Sequence, residues 1–355
     1  MKPLGERKSP HEQFLVDRTQ RFGDDSCFLC GVHVPEGSPD RTREHVFPKW
    51  LLKELDLWDA SVIQIDGRPL RYRQLTVPCC ATCNGVDLSA VEARARSAFE
   101  GGPTSFSALD RRDLFIWLGK IYYGLVYKES LRPLSVRDSD GARLVPTEHL
   151  ESIQFHHFLM QAAAGVVTWD STSPGPASFH FFECLDSEVP AERFDYMDDL
   201  FIPIIGMRIG KVGVVGVLQD WGRSEGVRQP HIDAAKTFAL HPTQFREVYA
   251  RLAYMSENSW IDLDHLVTGK DGAAQVMIPN PGEFAGTWDW NAFAPRMAAA
   301  WGVPERAIFD GSMGMSTIGG GDSPPIPVET MNVVFVGAFS GAGLWPRANL
   351  EPDLP

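Results

Sequence analysis

Long apolar runs are missing from this sequence of 355 residues. A helix needs about 20 consecutive apolar residues to cross a bilayer, whereas the most apolar stretch, residues 200–218, is interrupted by Arg208 and Lys211. The first ten residues also lack the apolar segment of a secretory signal peptide. We therefore expect a cytoplasmic protein with no membrane partner.

Cysteine is scarce. The chain contains six cysteines, which are too few to make a disulfide scaffold in a protein of this length. Five of the six nevertheless lie between residues 27 and 83. Such clustering in a reducing compartment favours metal binding over disulfide formation.

An excess of basic residues is also absent. The net charge is −13, which argues against a protein that coats nucleic acid, because phosphate binding depends largely on Lys and Arg side chains that displace counterions. The acidic excess lies almost entirely in residues 101–355. We therefore expect any phosphate contact near the N-terminus, and we expect the acidic remainder to bind a protein partner or to set specificity.

The hydrophobic pattern predicts an α+β protein in three parts. Apolar residues recur at helical spacing in residues 48–58, 87–99, 113–129 and 147–164, and "EGGPTSFS" at 100–107 is predicted to be a linker. From about residue 163 the runs at 165–170, 178–185, 201–209 and 211–221 predict a small antiparallel sheet. Residues 241–257 return to helical spacing, and the last 80 residues are expected to be rich in loops. The predicted parts are an N-terminal module at 1–100, a linker and helical segment at 101–162, and an α+β domain of unknown role with a loop-rich C-terminal tail at 163–355.

Two CxxC motifs account for most of the cysteines: CFLC at residues 27–30 and CATC at residues 80–83. Each motif can direct two thiolates at one tetrahedral metal ion. We predict a structural Zn²⁺ site formed by Cys27, Cys30, Cys80 and Cys83. A shifted arrangement that pairs Cys79 with Cys83 is the alternative, although CxxC is the commoner spacing.

Polar residues of a second kind accompany the motifs. Glu44 and His45 lie in "RTREHVFPKWLL" at 41–52, and Asn84 directly follows the last predicted zinc ligand. Bringing the two CxxC motifs together would carry Glu44, His45 and Asn84 to one place. An isolated Glu-His pair is more often an exposed ion pair, but its position between two CxxC motifs favours a functional site.

The segments "CFLC", "EHVFPKW" and "CATCNG" together resemble the HNH, or ββα-metal, endonucleases, in the zinc-knuckle branch that includes phage endonuclease VII and many uncharacterised bacterial HNH proteins. The resemblance covers about residues 20–100. It implies a zinc-stapled hairpin and helix that hydrolyse phosphodiester bonds. By motif position it implies that Glu44 and Asn84 bind a catalytic Mg²⁺ or Mn²⁺ and that His45 is the general base. Asp87, one helical turn after Asn84, is a further candidate ligand.

This set of residues suits phosphodiester hydrolysis. One carboxylate and one amide oxygen leave a hard cation with positions open for water and phosphate. A histidine with a pKa near its ordinary value of about 6.5 can accept a proton at neutral pH. The expected partner is nucleic acid, with DNA favoured over RNA, and the candidate backbone contacts are Arg41, Arg43, Lys49, Arg71 and Arg73.

Two other functions remain open from the sequence. A non-catalytic zinc module that contacts nucleic acid or protein would keep the same cysteines, and it is favoured by the lack of the family's middle Asn, since residues 71–77 offer only Gln74. The second alternative is a nuclease effector subunit of a bacterial defence or toxin system, in which the acidic half of the chain holds the nuclease inactive. For His156 and His157 we predict packing and surface positions, and for Cys184 a buried apolar position, all without metal binding.

Overall fold

The computed structural model describes residues 23–64, 66–135, 138–146, 149, 153–169, 175–199, 201–259, 266–270, 273–278, 288–319 and 324–327. The described chain combines helices with small, mostly antiparallel sheets, so the predicted α+β class is confirmed. Among these residues, none of the helices has both the length and the apolar character that crossing a membrane requires.

An antiparallel strand pair organises the N-terminal part. Strand β1 (Arg41–His45) pairs with a strand that follows it by some 30 residues, and Arg41 lies opposite Cys80 while His45 lies opposite Thr76. The connection contains helix α1 (Lys49–Glu54), which was predicted, and the short hairpin of β2 (Ser61–Ile63) and β3 (Pro69–Arg71). The pairing partner of β1 is β4 (Thr76–Cys80). Because β4 ends at Cys80, the second CxxC motif begins where the strand pair ends.

Helical structure follows the second CxxC motif. A π-helical segment (Cys83–Leu88) continues into α2 (Ser89–Glu100), and α3 (Gly102–Ser107) comes next. The prediction of a linker at 100–107 is therefore wrong. The chain turns at Gly102, whose φ is +83°, and Pro103 then occupies the first turn of α3, where its fixed φ suits a helix. Phe106 anchors α3 because its side chain is fully buried.

Helix α4 (Arg111–Ser130) is the central element of the described chain. It begins at Asp110, whose carboxylate accepts a hydrogen bond from the backbone N–H of Arg112 at 3.0 Å. The helix was predicted, but the expected exposed face is absent, since nearly every residue along it is buried, including Lys120. The reason is that α4 is packed between β4 and α2 on one side and the larger sheet on the other.

The larger sheet has four antiparallel strands. The chain after α4 first forms β5 (Pro133–Ser135), β6 (Asp138–Arg143), α5 (Gln154–Met160) and β7 (Val167–Trp169). The strands of the larger sheet follow: β8 (Ala177–Glu183), β9 (Phe194–Asp199), β10 (Ile204–Ile209) and β11 (Val212–Leu218). Within the sheet they lie in the order β8-β11-β10-β9. Three of these strands were predicted and β9 was missed. The run at 165–170 was wrongly placed in this sheet, because β7 pairs in parallel with a strand at Ala273–Met277, which belongs to a separate three-stranded sheet.

The remaining elements are α6 (Arg223–Gly226), α7 (Pro230–Ala235), α8 (Pro242–Asn258), β12 (Leu266–Lys270), β13 (Ala273–Met277) and α9 (Trp290–Trp301). Helix α8 was predicted, whereas α9 was missed. The apolar face of α9 packs on α8 through the buried side chains of Phe293, Met297 and Trp301. Residues 328–355, which contain the end of the predicted tail, lie outside the described residues, as do residues 147, 148 and 150–152 of the predicted helix at 147–164.

One hydrophobic core joins the N-terminal part to the rest of the described chain. It includes Leu29 and Phe47 near the cysteines, Tyr127 of α4 and Val276 of β13. The core therefore runs across the predicted boundaries at residues 100 and 162. A close approach supports it, because a Cβ atom at Gly124 would come within 3.1 Å of Val46, which directly follows β1.

Candidate metal centre and active site

Four cysteines form a cluster where the two CxxC motifs meet. The Sγ atoms of Cys27, Cys30, Cys80 and Cys83 all lie within 4.8 Å of one another. In each motif the backbone N–H of the second cysteine donates to the sulfur of the first, at 3.4 Å for both Cys30 and Cys83. Such bonds stabilise thiolates, so the cluster could hold a metal ion such as zinc.

The electrostatics of the cluster favour a cation. Hydrogen bonds from the thiols of Cys30, Cys79 and Cys83 hold the pKa of Cys27 well below its usual range. The resulting thiolate raises the pKa of Cys30 to about 12 and also raises the pKa of Cys83. Because one negative sulfur opposes ionisation of the others, a bound cation is the natural means of keeping four thiolates together.

The fifth cysteine lies beside the cluster. The Sγ atoms of Cys79 and Cys27 are 3.7 Å apart, and Cys79 is fully buried. It lies on β4 directly before Cys80 and points in a different direction from its neighbour, as strand residues alternate. The set of four that lies within 4.8 Å is the predicted one, without Cys79.

Glu44 occupies a buried position that the sequence did not reveal. Its side chain is 9% exposed and forms an ion pair through Oε1 with the Nζ of Lys120, which also pairs with Glu92 of α2. Lys120 itself is 1% exposed. Burial is the main cause that raises the pKa of Glu44, with Glu92 adding to this effect and Lys120 opposing it. Two carboxylates and one ammonium leave a net negative charge at this place, which favours a further cation.

His45 ends β1 and packs against an aromatic ring. Its imidazole stacks on Trp58 with the ring centroids 5.7 Å apart. The buried atom Nδ1 has no hydrogen-bond partner among the described residues. Burial, with smaller effects of Lys49 and Lys120, lowers the pKa of His45 to about 4. The imidazole is therefore neutral at pH 7, with a nitrogen lone pair able to accept a proton.

Asn84 lies against β1, beside Glu44. Its Nδ2 donates to Thr42 Oγ1 at 2.9 Å and to the carbonyl oxygen of Arg43 at 3.3 Å. Thr42 and Glu44 face the same side of the strand because they are two residues apart. The amide nitrogen is thus committed to the protein, and the oxygen Oδ1 is the atom left for a ligand.

Asp87 lies beside the cysteines, apart from Glu44, His45 and Asn84. The half-buried carboxylate of Asp87 accepts a hydrogen bond from the Cys83 thiol, and burial raises its pKa. The four cysteines are the one set of three or more Cys, His or carboxylate side chains in the described residues whose ligand atoms converge within 4.8 Å. A role for Asp87 at a second ion stays a prediction.

The basic residues near the site divide into two groups. Arg41 pairs with Asp24 and Asp25, and Arg73 pairs with Asp59 at 2.6 Å. Arg43 and Arg71 are exposed but lie 3.7 and 3.6 Å from Asp24 and Asp59, respectively. Exposed Lys49, which follows His45 by four residues, is the best placed of the predicted contacts to meet an approaching phosphate.

His156, His157 and Cys184 are all buried, which was expected for Cys184, whereas a surface position for either histidine is excluded. The Nε2 of His157 lies 2.7 Å from the carbonyl oxygen of Leu29, and its ring stacks on Tyr123. His156 is within 3.2 Å of the carbonyl oxygen of Gly119. Cys184 is also buried. The two histidines therefore join α5 to α4 and to the first CxxC motif.

Lys120 and Glu92 were missed by the sequence analysis. The available signal was a lysine in the middle of an otherwise apolar helical stretch, "DLFIWLGKIYYGLVYKE" at 113–129. A buried lysine needs an acidic partner. Its partner could not be named because Glu44 lies 76 residues away in the sequence.

We expect Lys120→Met to lower the free energy of unfolding by about 3–5 kcal/mol, because it leaves Glu44 and Glu92 near each other without the buried cation. Urea denaturation would measure this loss. Lys211→Met, which changes an exposed lysine, is the matched control and should be nearly neutral. Adding Glu44→Gln to Lys120→Met should recover part of the loss, and equal stability of Lys120→Met and wild type would show that the ion pairs contribute nothing.

No protein-family model matches this chain, and neither a curated protein nor a solved structure was found to be similar to it. The function is therefore inferred from the residues and their geometry.

Proposed function

We propose that the protein is a metal-dependent endonuclease of the HNH type that hydrolyses phosphodiester bonds in nucleic acid, DNA in particular. The observation that carries the proposal is the pair of hydrogen bonds from Asn84 to Thr42 and Arg43. They hold the residue after the second CxxC motif beside the strand that bears Glu44 and His45. Asn84 thus lies next to β1 although it is about 40 positions away in the sequence.

The donor atoms suit a hard divalent cation. Asn84 offers Oδ1 because its nitrogen is bonded to β1, and Glu44 offers Oε2 because Lys120 contacts Oε1. Oxygen donors of this kind fit Mg²⁺ or Mn²⁺. Such an ion, when bound, would neutralise charge on the scissile phosphate and favour loss of a proton from water.

The other residues have distinct roles in the proposed reaction. His45, which is neutral at pH 7, accepts the proton from the attacking water as general base. Trp58 fixes the plane of its imidazole by stacking. Exposed Lys49 contacts the nucleic-acid backbone. The four cysteines, when they hold Zn²⁺, would fix the first CxxC motif against the end of β4 and the start of the helical segment that carries Asn84.

A non-catalytic zinc module is the second candidate, and one observation favours it. Glu44 already forms a buried ion pair with Lys120, which is a sufficient structural reason for an acid at this position. The two candidates differ in one assay: purified protein is incubated with plasmid DNA, single-stranded DNA and RNA in the presence of Mg²⁺, Mn²⁺ or EDTA. The nuclease cleaves with metal and stops with EDTA, whereas the binding module leaves all three substrates intact.

We expect Asn84→Ala and Glu44→Gln to weaken the catalytic ion without removing the base. Their cleavage should be slow at low metal concentration and should recover in part as Mg²⁺ or Mn²⁺ is raised, because each keeps one of the two proposed oxygen ligands. Cleavage rates across a metal titration measure this. Ser89→Ala, an exposed change at the start of α2, is the control. A uniformly low rate at every metal concentration would remove Asn84 and Glu44 as ligands.

A further inference from the structure

A cavity of about 350 Å³ lies far along the chain from the proposed nuclease residues, between α7, α8 and the start of α9. Its volume is in the range of small-molecule sites. One wall is aromatic and contains Trp288, Trp290 and Tyr254, while Gln229, His231 and Arg251 lie on the others. The combination of flat rings and a few polar groups is typical of a site for a planar, polar ligand.

Arg251 is the most unusual residue of this cavity. It is 2% exposed, and its guanidinium carbon lies 5.0 Å from the Trp288 ring centroid and 5.8 Å from that of Trp290. Its Nε donates to Glu247 at 2.9 Å. Glu247 also accepts three hydrogen bonds from Ser316 and Thr317. The carboxylate is thus well supplied with donors, and Arg251 Nη2 also lies 2.8 Å from Glu247 Oε1, without the geometry of a hydrogen bond.

Two hydrogen-bond acceptors, on Gln229 and His231, line the same cavity as Arg251. Gln229 is 5% exposed, and its Oε1 has no partner in the described chain, although its Nε2 donates to Ser224. His231 Nδ1 is bonded to the carbonyl oxygen of Gly319, so Nδ1 carries the proton and Nε2 is the acceptor. Buried polar groups without partners cost free energy and call for an explanation. A ligand with both N–H donors and acceptors on one planar edge would satisfy them.

The charged side chains of the cavity restrict which ligands it can bind. Arg251 is balanced by Glu247, whereas Arg228 at the rim has a side chain that is 92% exposed and lies 4.0 Å from Asp233. A small anion can therefore meet Arg228 at the mouth. A long polyanion is disfavoured here because the acidic excess of the protein lies in residues 101–355.

We propose that this cavity binds a free mononucleotide, with the base stacked on the aromatic wall and its edge bonded to Gln229, His231 and Arg251, and with the phosphate at Arg228. A nucleobase supplies the planar face together with adjacent donors and acceptors. An apolar ligand or an aromatic carboxylate would leave Gln229 Oε1 and His231 Nε2 without a donor. The site does not depend on the proposed nuclease chemistry, since none of its residues belongs to the N-terminal part.

The test is isothermal titration calorimetry on the full chain in EDTA, which prevents any metal-dependent cleavage. The probes are AMP, GMP, CMP and UMP, with ribose 5-phosphate and a short single-stranded oligonucleotide as comparisons. At least one mononucleotide should bind with a micromolar dissociation constant, and ribose 5-phosphate should bind far more weakly because it lacks the base. Absence of binding by all four mononucleotides, or displacement of the bound mononucleotide by the oligonucleotide, would overturn the proposal.

Variants assign the binding to this cavity. Trp288→Ala should weaken the mononucleotide about tenfold or more through loss of base stacking, and Trp288→Phe should restore part of it. Gln229→Leu removes one acceptor at similar volume and should also weaken binding, while Arg228→Ala should reduce the preference for the nucleotide over its nucleoside. Arg96→Ala, which changes an exposed arginine of α2, is the control. Thermal unfolding checks that each variant is folded, and unchanged affinity in folded Trp288→Ala and Gln229→Leu would place the ligand elsewhere.

Discussion

Cys30→Ser should release the bound metal and unfold the N-terminal part of the chain. A structural zinc site contributes apparent binding energy on the order of 10 kcal/mol, which is also folding energy. The loss should spread beyond the cysteines, because the carbonyl oxygen of Leu29 accepts bonds from His157 and Gln161, and Tyr127 bonds to the backbone of Gly23. Zinc analysis by atomic emission and thermal unfolding followed by circular dichroism would measure both effects.

Two other cysteines provide the controls. Cys184→Ala changes a buried cysteine outside the cluster and should keep the metal at one ion per chain. Cys79→Ala distinguishes the two arrangements considered from the sequence, since Cys79 lies beside Cys27 but outside the set of four. Zinc retained in Cys79→Ala and lost in Cys80→Ser is the expected result. The reverse pattern, or a wild-type protein that contains no metal, would contradict the proposed site.

His45→Ala should lose most of the cleavage activity, roughly the 10²–10⁴-fold that general-base catalysis contributes. The variant keeps Glu44, Asn84 and the cysteines, so its metal content, folding and affinity for DNA should remain close to wild type. Raising the Mg²⁺ concentration should not restore the cleavage rate of His45→Ala, whereas it should restore part of the rate of Asn84→Ala. Cleavage of plasmid DNA across a metal titration, together with DNA binding in the absence of cleavage, would separate these effects.

His33→Ala is the matched control because His33 is exposed and lies outside the site. Normal cleavage by His45→Ala would mean that another group is the base. If His45→Ala, Glu44→Gln and Asn84→Ala all cleave normally, none of these residues is catalytic and the HNH proposal fails. If wild type itself cleaves none of the substrates while retaining zinc, the non-catalytic module becomes the better explanation.

The spacing of apolar residues in the sequence predicted much of the fold. Helices α1, α2, α4 and α8 and three strands of the larger sheet were predicted, because apolar spacing reflects which face of an element is buried. The predictions were wrong where contacts with residues distant in the sequence determine the structure. The stretch "EGGPTSFS" contains turn-forming residues, yet burial of Phe106 makes it a helix. The run at 165–170 has strand composition, but the sheet that it joins depends on β13, about 100 residues later.

The sequence by itself identified the four cysteines that converge, because a CxxC motif positions both of its sulfurs within one turn of chain. It also placed Glu44, His45 and Asn84 at fixed distances from those ligands along the chain, so their proximity to the cluster could be expected. Only the tertiary structure decided the surroundings of Glu44. Lys120 reaches it because α4 packs against the end of β1, with Gly124 one turn away allowing the close approach. The partner of a buried charge depends on which elements pack together, and spacing along the chain does not record this across 76 residues.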